Sequence, residues 1–149
     1  MNQIIIFCAE YLIFISMLFA GLYILLKRGQ RYNIRHIVII FGTAGLAWLV
    51  AHFLKNIIMN PRPDLANALI TPDSLYSFPS GHATFLFGLA WSMYGFDKRA
   101  GVVLFVFGAL TGIARVLAGV HFWYDIVGGF IVGWIVSYIV LLITKRIRS

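Results

Sequence analysis

Three short stretches of this sequence carry side chains that could do chemistry on an oxyanion. His121 and Asp125 stand four residues apart, so on a helix they share a face and can hydrogen-bond. A carboxylate on one imidazole nitrogen fixes the tautomer and leaves the other nitrogen basic and aimed outward. That is the orientation a nucleophilic histidine needs. Arg115 precedes the pair at the end of an apolar segment. In the second stretch, Phe78-Pro79-Ser80-Gly81-His82 leads directly into an apolar run. Ser80 is a good N-cap, and the free N–H groups and positive dipole end of a helix start form an anion site. Gly81 would let a ligand approach the backbone, and His82 would fall in the first turn beside it. In the third, Lys55 and Arg62 are seven apart, with Pro61 and Pro63 ending a helix near Asn60. An arginine fork beside a compact lysine charge suits an oxyanion such as phosphate. Each stretch also has a bland explanation: snorkelling cations, a helix cap with an interfacial histidine, and a structural His–Asp bond. Residue types alone leave both open.

The elements that must position these groups follow from composition. The chain has 149 residues, the size of one domain spanning 1–149. Of these, 61% are hydrophobic and 11% charged, against roughly 25% charged in a soluble domain. Mean hydropathy is +0.90. An ordinary soluble fold is excluded, and an all-α integral membrane bundle is expected. The net charge of +7 would suggest nucleic acid in a soluble chain. Here the placement of the charges matters more than their sum, and no nucleic-acid partner is expected. The single Cys8 excludes an intramolecular disulfide framework and a cysteine zinc site.

Apolar segments run from Ile4 to Leu26, Ile37 to about Met59, Ala83 to Phe96, Ala100 to Gly119 and about Tyr124 to Thr144. Five spanning helices are therefore expected, the third short even if it starts near Ser80. The first is expected to be a retained span, since only Met1-Asn2-Gln3 precede it and a cleaved leader would show a basic start. Lys27, Arg28, Arg31 and Arg35, then Lys98 and Arg99, then Lys145, Arg146 and Arg148 all fall on one side of such a bundle. Cytoplasmic loops carry the excess of Lys and Arg, so the N-terminus is expected outside and the C-terminus inside the cell membrane. Lys55, Arg62 and Arg115 are the exceptions among the 12 basic residues. All three fall at the outer side, beside the long connection from Asn60 to His82. A cation in or near hydrocarbon costs at least about 2.5 kcal/mol on insertion scales and marks a functional or paired group.

Taken together the stretches read Lys55-x6-Arg62-Pro63, Pro79-Ser80-Gly81-His82 and Arg115-x5-His121-x3-Asp125. In order and spacing the sequence resembles the type 2 phosphatidic acid phosphatase (PAP2) family of membrane lipid phosphatases, with motifs K-x6-R-P, P-S-G-H and S-R-x5-H-x3-D. The resemblance covers residues 55 to 125. It implies that His121 attacks phosphorus to form a phosphohistidine, oriented by Asp125, and that His82 protonates the leaving oxygen. Lys55, Arg62, Arg115, Ser80 and the Gly81 backbone N–H would hold the phosphoryl oxygens. No metal or other cofactor is called for, since neither a carboxylate cluster nor a multi-histidine site stands outside this set. Two departures stand out. Ala114 replaces the serine before the third-motif arginine, removing a hydroxyl expected to help hold phosphate. Family members usually have six spans, and five would leave a helix face open to a second copy, a homodimer.

A phosphate pocket at helix ends near headgroup depth lets an amphiphile enter sideways, so a lipid phosphate or diphosphate is the expected substrate, with membrane lipids around it. The short chain and the stretch Tyr76-Ser77-Phe78-Pro79-Ser80-Gly81-His82-Ala83 look most like the bacterial undecaprenyl-diphosphate phosphatases. Phosphatidylglycerophosphate or phosphatidic acid is the alternative substrate. A phosphate-binding helical bundle or small transporter without catalysis is the alternative of another class. Glu10 in the first segment reads as structural. His52, three before Lys55, reads as polar packing that could face the same pocket, and Asp64 as a partner of Arg62 or of substrate. Gly108-x3-Gly112 and Gly129-x3-Gly133 read as close helix-packing faces. Trp123 and Tyr124 read as interface anchors.

Overall fold

A computed structural model describes residues 1–27, 32–63, 65–72 and 74–146. Arg28, Arg31, Asp64 and Arg148, weighed above, lie outside the described residues. The described residues form six α-helices: α1 (Asn2–Glu10), α2 (Leu12–Leu26), α3 (Ile34–Ile58), α4 (Gly81–Phe96), α5 (Lys98–Leu117) and α6 (Trp123–Arg146), with a 3₁₀ turn at Leu65–Asn67.

The five apolar segments are all helical, with one difference of shape. The first is two helices bent by 48° at Tyr11 rather than one straight span. No Pro or Gly stands at the bend. One turn on, the Ser16 hydroxyl donates to Leu12 O at 2.7 Å, a back-bonding that bends helices. Helices α3, α5 and α6 are long and apolar enough to cross a membrane, and the bent pair qualifies as a fourth span. Helix α4, at 16 residues, is about 24 Å long at 1.5 Å per residue and falls short of the ~30 Å hydrocarbon core. Among the described residues three or four helices meet the length and composition of a full span, and α4 is the short third segment of the five expected.

What α4 lacks in length it makes up in burial. Ala83, Leu86, Leu89, Ala90 and Met93 have no or almost no exposed surface, and the helix packs against α3, α5 and α6. Gly133 of α6 allows a close approach of backbone to backbone, because a methyl group there would lie 2.8 Å from Gly88 N. Ser137 seals the same seam by donating to Gly88 O at 3.1 Å. Both glycine pairs face neighbouring helices. Gly108 abuts Phe87 of α4 and Gly112 abuts Ile126 of α6.

Charge separates the two ends of this bundle. At one end Lys27, Lys98 and Arg99 surround a cavity with Tyr23 and Asp97, and Lys145 lies beside Phe96. There Asp97 caps α5 through the N–H groups of Arg99 and Ala100 and accepts the Tyr23 hydroxyl at 2.7 Å. Lys55, Arg62 and Arg115 lie at the other end, where α3 and α5 finish and α4 and α6 begin.

Candidate functional site

Helix α3 stops at Met59, whose left-handed conformation (φ 52°) turns the chain outward. The chain then runs to Arg62 and returns after residue 74 alongside itself, with an antiparallel bridge between Pro61 and Tyr76 and Ser77 N donating to Asn60 O at 2.9 Å. This clasp sets both cations of the first motif. Lys55 Nζ donates to Tyr76 O at 2.9 Å and Ser77 O at 3.2 Å. Arg62 Nε donates to Ser74 O at 2.7 Å and Nη2 to the Ser74 hydroxyl at 3.1 Å. The clasp ends at the cis peptide Phe78–Pro79, and Ser80 then caps α4, accepting from Ala83 N.

The third motif begins where α5 ends. Gly119, at φ 78°, closes the helix in a Schellman turn. Its N–H meets Val116 O at 3.0 Å and the Val120 N–H meets Arg115 O at 3.3 Å. A left-handed turn of this kind favours glycine, and it swings Val120 and His121 back across the bundle. His121 and Asp125 do not share a helix, as their spacing alone suggested. His121 precedes α6 and Asp125 lies in its first turn. The contact forms all the same, with His121 Nδ1 3.1 Å from Asp125 Oδ2. That oxygen also accepts the Phe122 N–H at 2.8 Å, and the Ser77 hydroxyl is 3.3 Å from Oδ1. Asp125 O accepts from Ser80 N at 3.0 Å, joining the second and third motifs through the backbone.

The other face of the imidazole fixes its tautomer. Arg62 Nη1 lies 3.4 Å from His121 Nε2, and a guanidinium can only donate. Nε2 is therefore the acceptor and Nδ1 carries the proton that Asp125 receives. Burial pushes the His121 pKa down to about 4, against the upward pull of the Asp125 hydrogen bond and with help from Arg115, Arg62 and Lys55. At neutral pH the ring is uncharged, with a lone pair on Nε2 facing the cations.

A cavity of about 190 Å³ is lined by Lys55, Arg62, Gly81, His82 and His121, together with Trp48, His52 and Ser74. Three distant stretches of chain thus share one chamber. Asp125, Arg115 and Ser80 are almost fully buried and stand behind its wall: Asp125 against His121, Arg115 as a nearby positive charge, and Ser80 at the helix cap. Ala114 is buried in an apolar cluster with Ala9, Ala118 and Val120, so the position of the missing hydroxyl serves helix packing. Glu10 ends α1 beside the bend. Ser74, Ser77 and Trp48 are site neighbours that the sequence did not single out. The first two lie in an irregular connection without periodicity, and only the Ser77-Phe78-Pro79 run ahead of a helix cap could have marked one of them.

A second cavity, of about 230 Å³, lies next to the chamber and shares Trp48 and His82 with it. Its other walls are Ile13, Met17 and Phe85. A polar chamber thus adjoins an apolar groove, with His82 and Trp48 at the junction.

Residues 36–149 match the model of the PAP2 superfamily. The chain is 27% identical over 153 residues to undecaprenyl-diphosphatase BcrC of Bacillus subtilis (strain 168), covering 99% of this chain and 77% of that protein. It is 33% identical over 122 residues to phosphatidylglycerophosphatase B of the same organism, covering 74% of this chain and 58% of the relative. Among solved structures, the first transmembrane PAP2 type phosphatidylglycerolphosphate phosphatase from Bacillus subtilis superimposes with a TM-score of 0.66 at 25% identity, covering 97% of this chain and 75% of that one.

Proposed function

The chain belongs to the PAP2 superfamily and is a multi-pass membrane phosphatase, and from that premise we propose that it hydrolyses a lipid diphosphate at the outer face of the cell membrane through a phosphohistidine on His121. The observation that carries this reading is the chamber itself, where a neutral imidazole with its unprotonated nitrogen forward meets Lys55, Arg62 and a second histidine at the mouth of an apolar groove.

In the first step the Nε2 lone pair of His121 attacks phosphorus in line. A P–N bond forms as the bond to the bridging oxygen breaks, and the departing oxygen takes a proton from His82. The positive charge that develops on the imidazole is balanced by Asp125, 3.1 Å away. Lys55, Arg62 and the Gly81 N–H hold the equatorial oxygens and Arg115 adds positive field from behind, an electrostatic task with little covalent chemistry. Water then attacks the phosphohistidine, giving a proton to His82 as the P–N bond breaks, and inorganic phosphate leaves with both histidines restored.

The apolar groove supports a lipid substrate, because a hydrocarbon tail can lie along Ile13, Met17 and Phe85 while its headgroup reaches past His82. Undecaprenyl diphosphate is the preferred candidate, in line with the relative that matches across nearly the whole chain. Phosphatidylglycerophosphate is the second, from the other relative. The outer location rests on the basic residues gathered at the opposite end of the bundle, near Lys27, Lys98 and Arg99. Purified protein in detergent, offered undecaprenyl diphosphate, phosphatidic acid and phosphatidylglycerophosphate, should release phosphate fastest from the first. Full activity in His121→Ala would overturn the mechanism, and release from none of the three would favour a binding protein.

A further inference from the structure

His52 belongs to none of the three motifs, yet it lines the chamber beside Lys55 and His82. Trp48, His52 and Lys55 occupy positions i, i+4 and i+7 of α3 and so share one face. At 1.5 Å per residue, His52 lies about 4.5 Å from Lys55 along the axis, and Trp48 about 6 Å further toward the helix middle. The rings of Trp48 and His52 stack, with centroids 5.6 Å apart and planes 23° from parallel, which sets the imidazole's orientation. Trp48 in turn rests on Gly81, where an added methyl would meet its Nε1 at 3.4 Å. Beyond Trp48 the apolar groove begins. Along this face the order is therefore cation, imidazole, indole, hydrocarbon wall.

We propose that His52 binds the inner phosphoryl group of a lipid diphosphate while Lys55 and Arg62 hold the terminal one, and that it thereby selects diphosphate over monophosphate lipids. This rests on the phosphatase reading above. A diphosphate presents a terminal phosphoryl, a bridging oxygen, a second phosphoryl and then the tail, in the order that α3 displays. The inner group is anionic and accepts a charge-assisted hydrogen bond from the imidazole N–H. In a monophosphate the same level is occupied by carbon, to which His52 has nothing to donate. The stack on Trp48 holds the ring ready without an ordering cost at the moment of binding.

The test compares kcat/KM for farnesyl diphosphate and farnesyl monophosphate, which share one tail, in wild type, His52→Ala and His52→Gln. The wild type should favour the diphosphate. His52→Ala should lower the diphosphate-to-monophosphate ratio about 10- to 100-fold, and His52→Gln, which keeps an N–H donor, should restore part of it. Inhibition by inorganic pyrophosphate should weaken in His52→Ala more than inhibition by orthophosphate. An unchanged ratio, or an equal fall on both substrates, would overturn the assignment while leaving the phosphatase reading standing. A wild type that releases phosphate from neither lipid would overturn both.

Discussion

Replacing Asp125 by Asn tests how the nucleophile is held. The carboxylate has no exposed surface, and its Oδ2 serves both His121 Nδ1 and the Phe122 N–H. An asparagine with its carbonyl oxygen in that place keeps both bonds. Its amide then faces the Ser77 hydroxyl, which can accept as well as donate. Geometry and fold should therefore survive, and only the charge is lost. Unit charges at the 3.1 Å of this contact attract by about 5 kcal/mol at an effective dielectric of about 20. The imidazolium spreads its charge over the ring and a neutral hydrogen bond of about 1 kcal/mol remains, leaving a deficit of roughly 3 kcal/mol in the transition state. That corresponds to a fall of about 10²-fold in the rate of phosphoryl transfer. Rapid-quench single-turnover release of phosphate from a lipid phosphate in detergent reads this step, with thermal unfolding as the control for fold. A variant that unfolds like wild type and turns over within threefold of it would refute the charge-balancing role.

His82→Ala should slow hydrolysis of an alkyl phosphate about 10²- to 10⁴-fold, but cost far less on p-nitrophenyl phosphate, whose departing oxygen needs no proton. Equal losses on both would remove His82 from the leaving-group step. His121 is held neutral with a folded pKa of about 4 against an unfolded 6.5. The unfolded chain therefore binds the proton first, and this contribution to stability is complete above about pH 6.5 and lost as pH falls toward 4. Roughly 2 kcal/mol should be gone by pH 5, and denaturant unfolding of His121→Asn should lack that slope; parallel pH curves would contradict it. In a Cys8→Ser background, Leu75→Cys, 84% exposed in the clasp, should react with an impermeant thiol reagent added outside intact cells, and Lys98→Cys should not. The reverse pattern would invert the orientation. Gly133→Leu should force α6 from α4 at Gly88 and lower stability by at least about 1–3 kcal/mol, read by thermal unfolding in detergent; a wild-type melting temperature would show that the seam is loose.

Helix positions were legible in the sequence because hydrophobic runs, Pro breaks and the Ser80 cap are local signals. The ends of α4 follow from Ser80 and Asp97, both N-caps. The bend at Tyr11 was not legible, since no Pro or Gly announces it. The status of α4 was only half so, because a run of apolar residues looks alike whether it faces lipid or three other helices. At the site, chain order and spacing pointed to Lys55, Arg62, His82 and His121 facing one space. Which of the remaining groups stand on the wall and which stand behind it depends on the Schellman turn at Gly119 and the Pro61–Tyr76 bridge. Those are tertiary facts. They set Asp125 and Ser80 back from the chamber, with Ser77 against Asp125, and bring Ser74 to the wall, and they are the reason that two residues on one expected helix face in fact meet across a loop.

The most direct measurement is to find where the phosphoryl group goes. Enzyme mixed with lipid diphosphate labelled in its terminal phosphoryl, quenched in alkali within one turnover and digested, should carry an acid-labile, alkali-stable label on the peptide containing His121, and His121→Ala should carry none. Label on His82, or phosphate released at the wild-type rate with no labelled histidine at any quench time, would contradict the account.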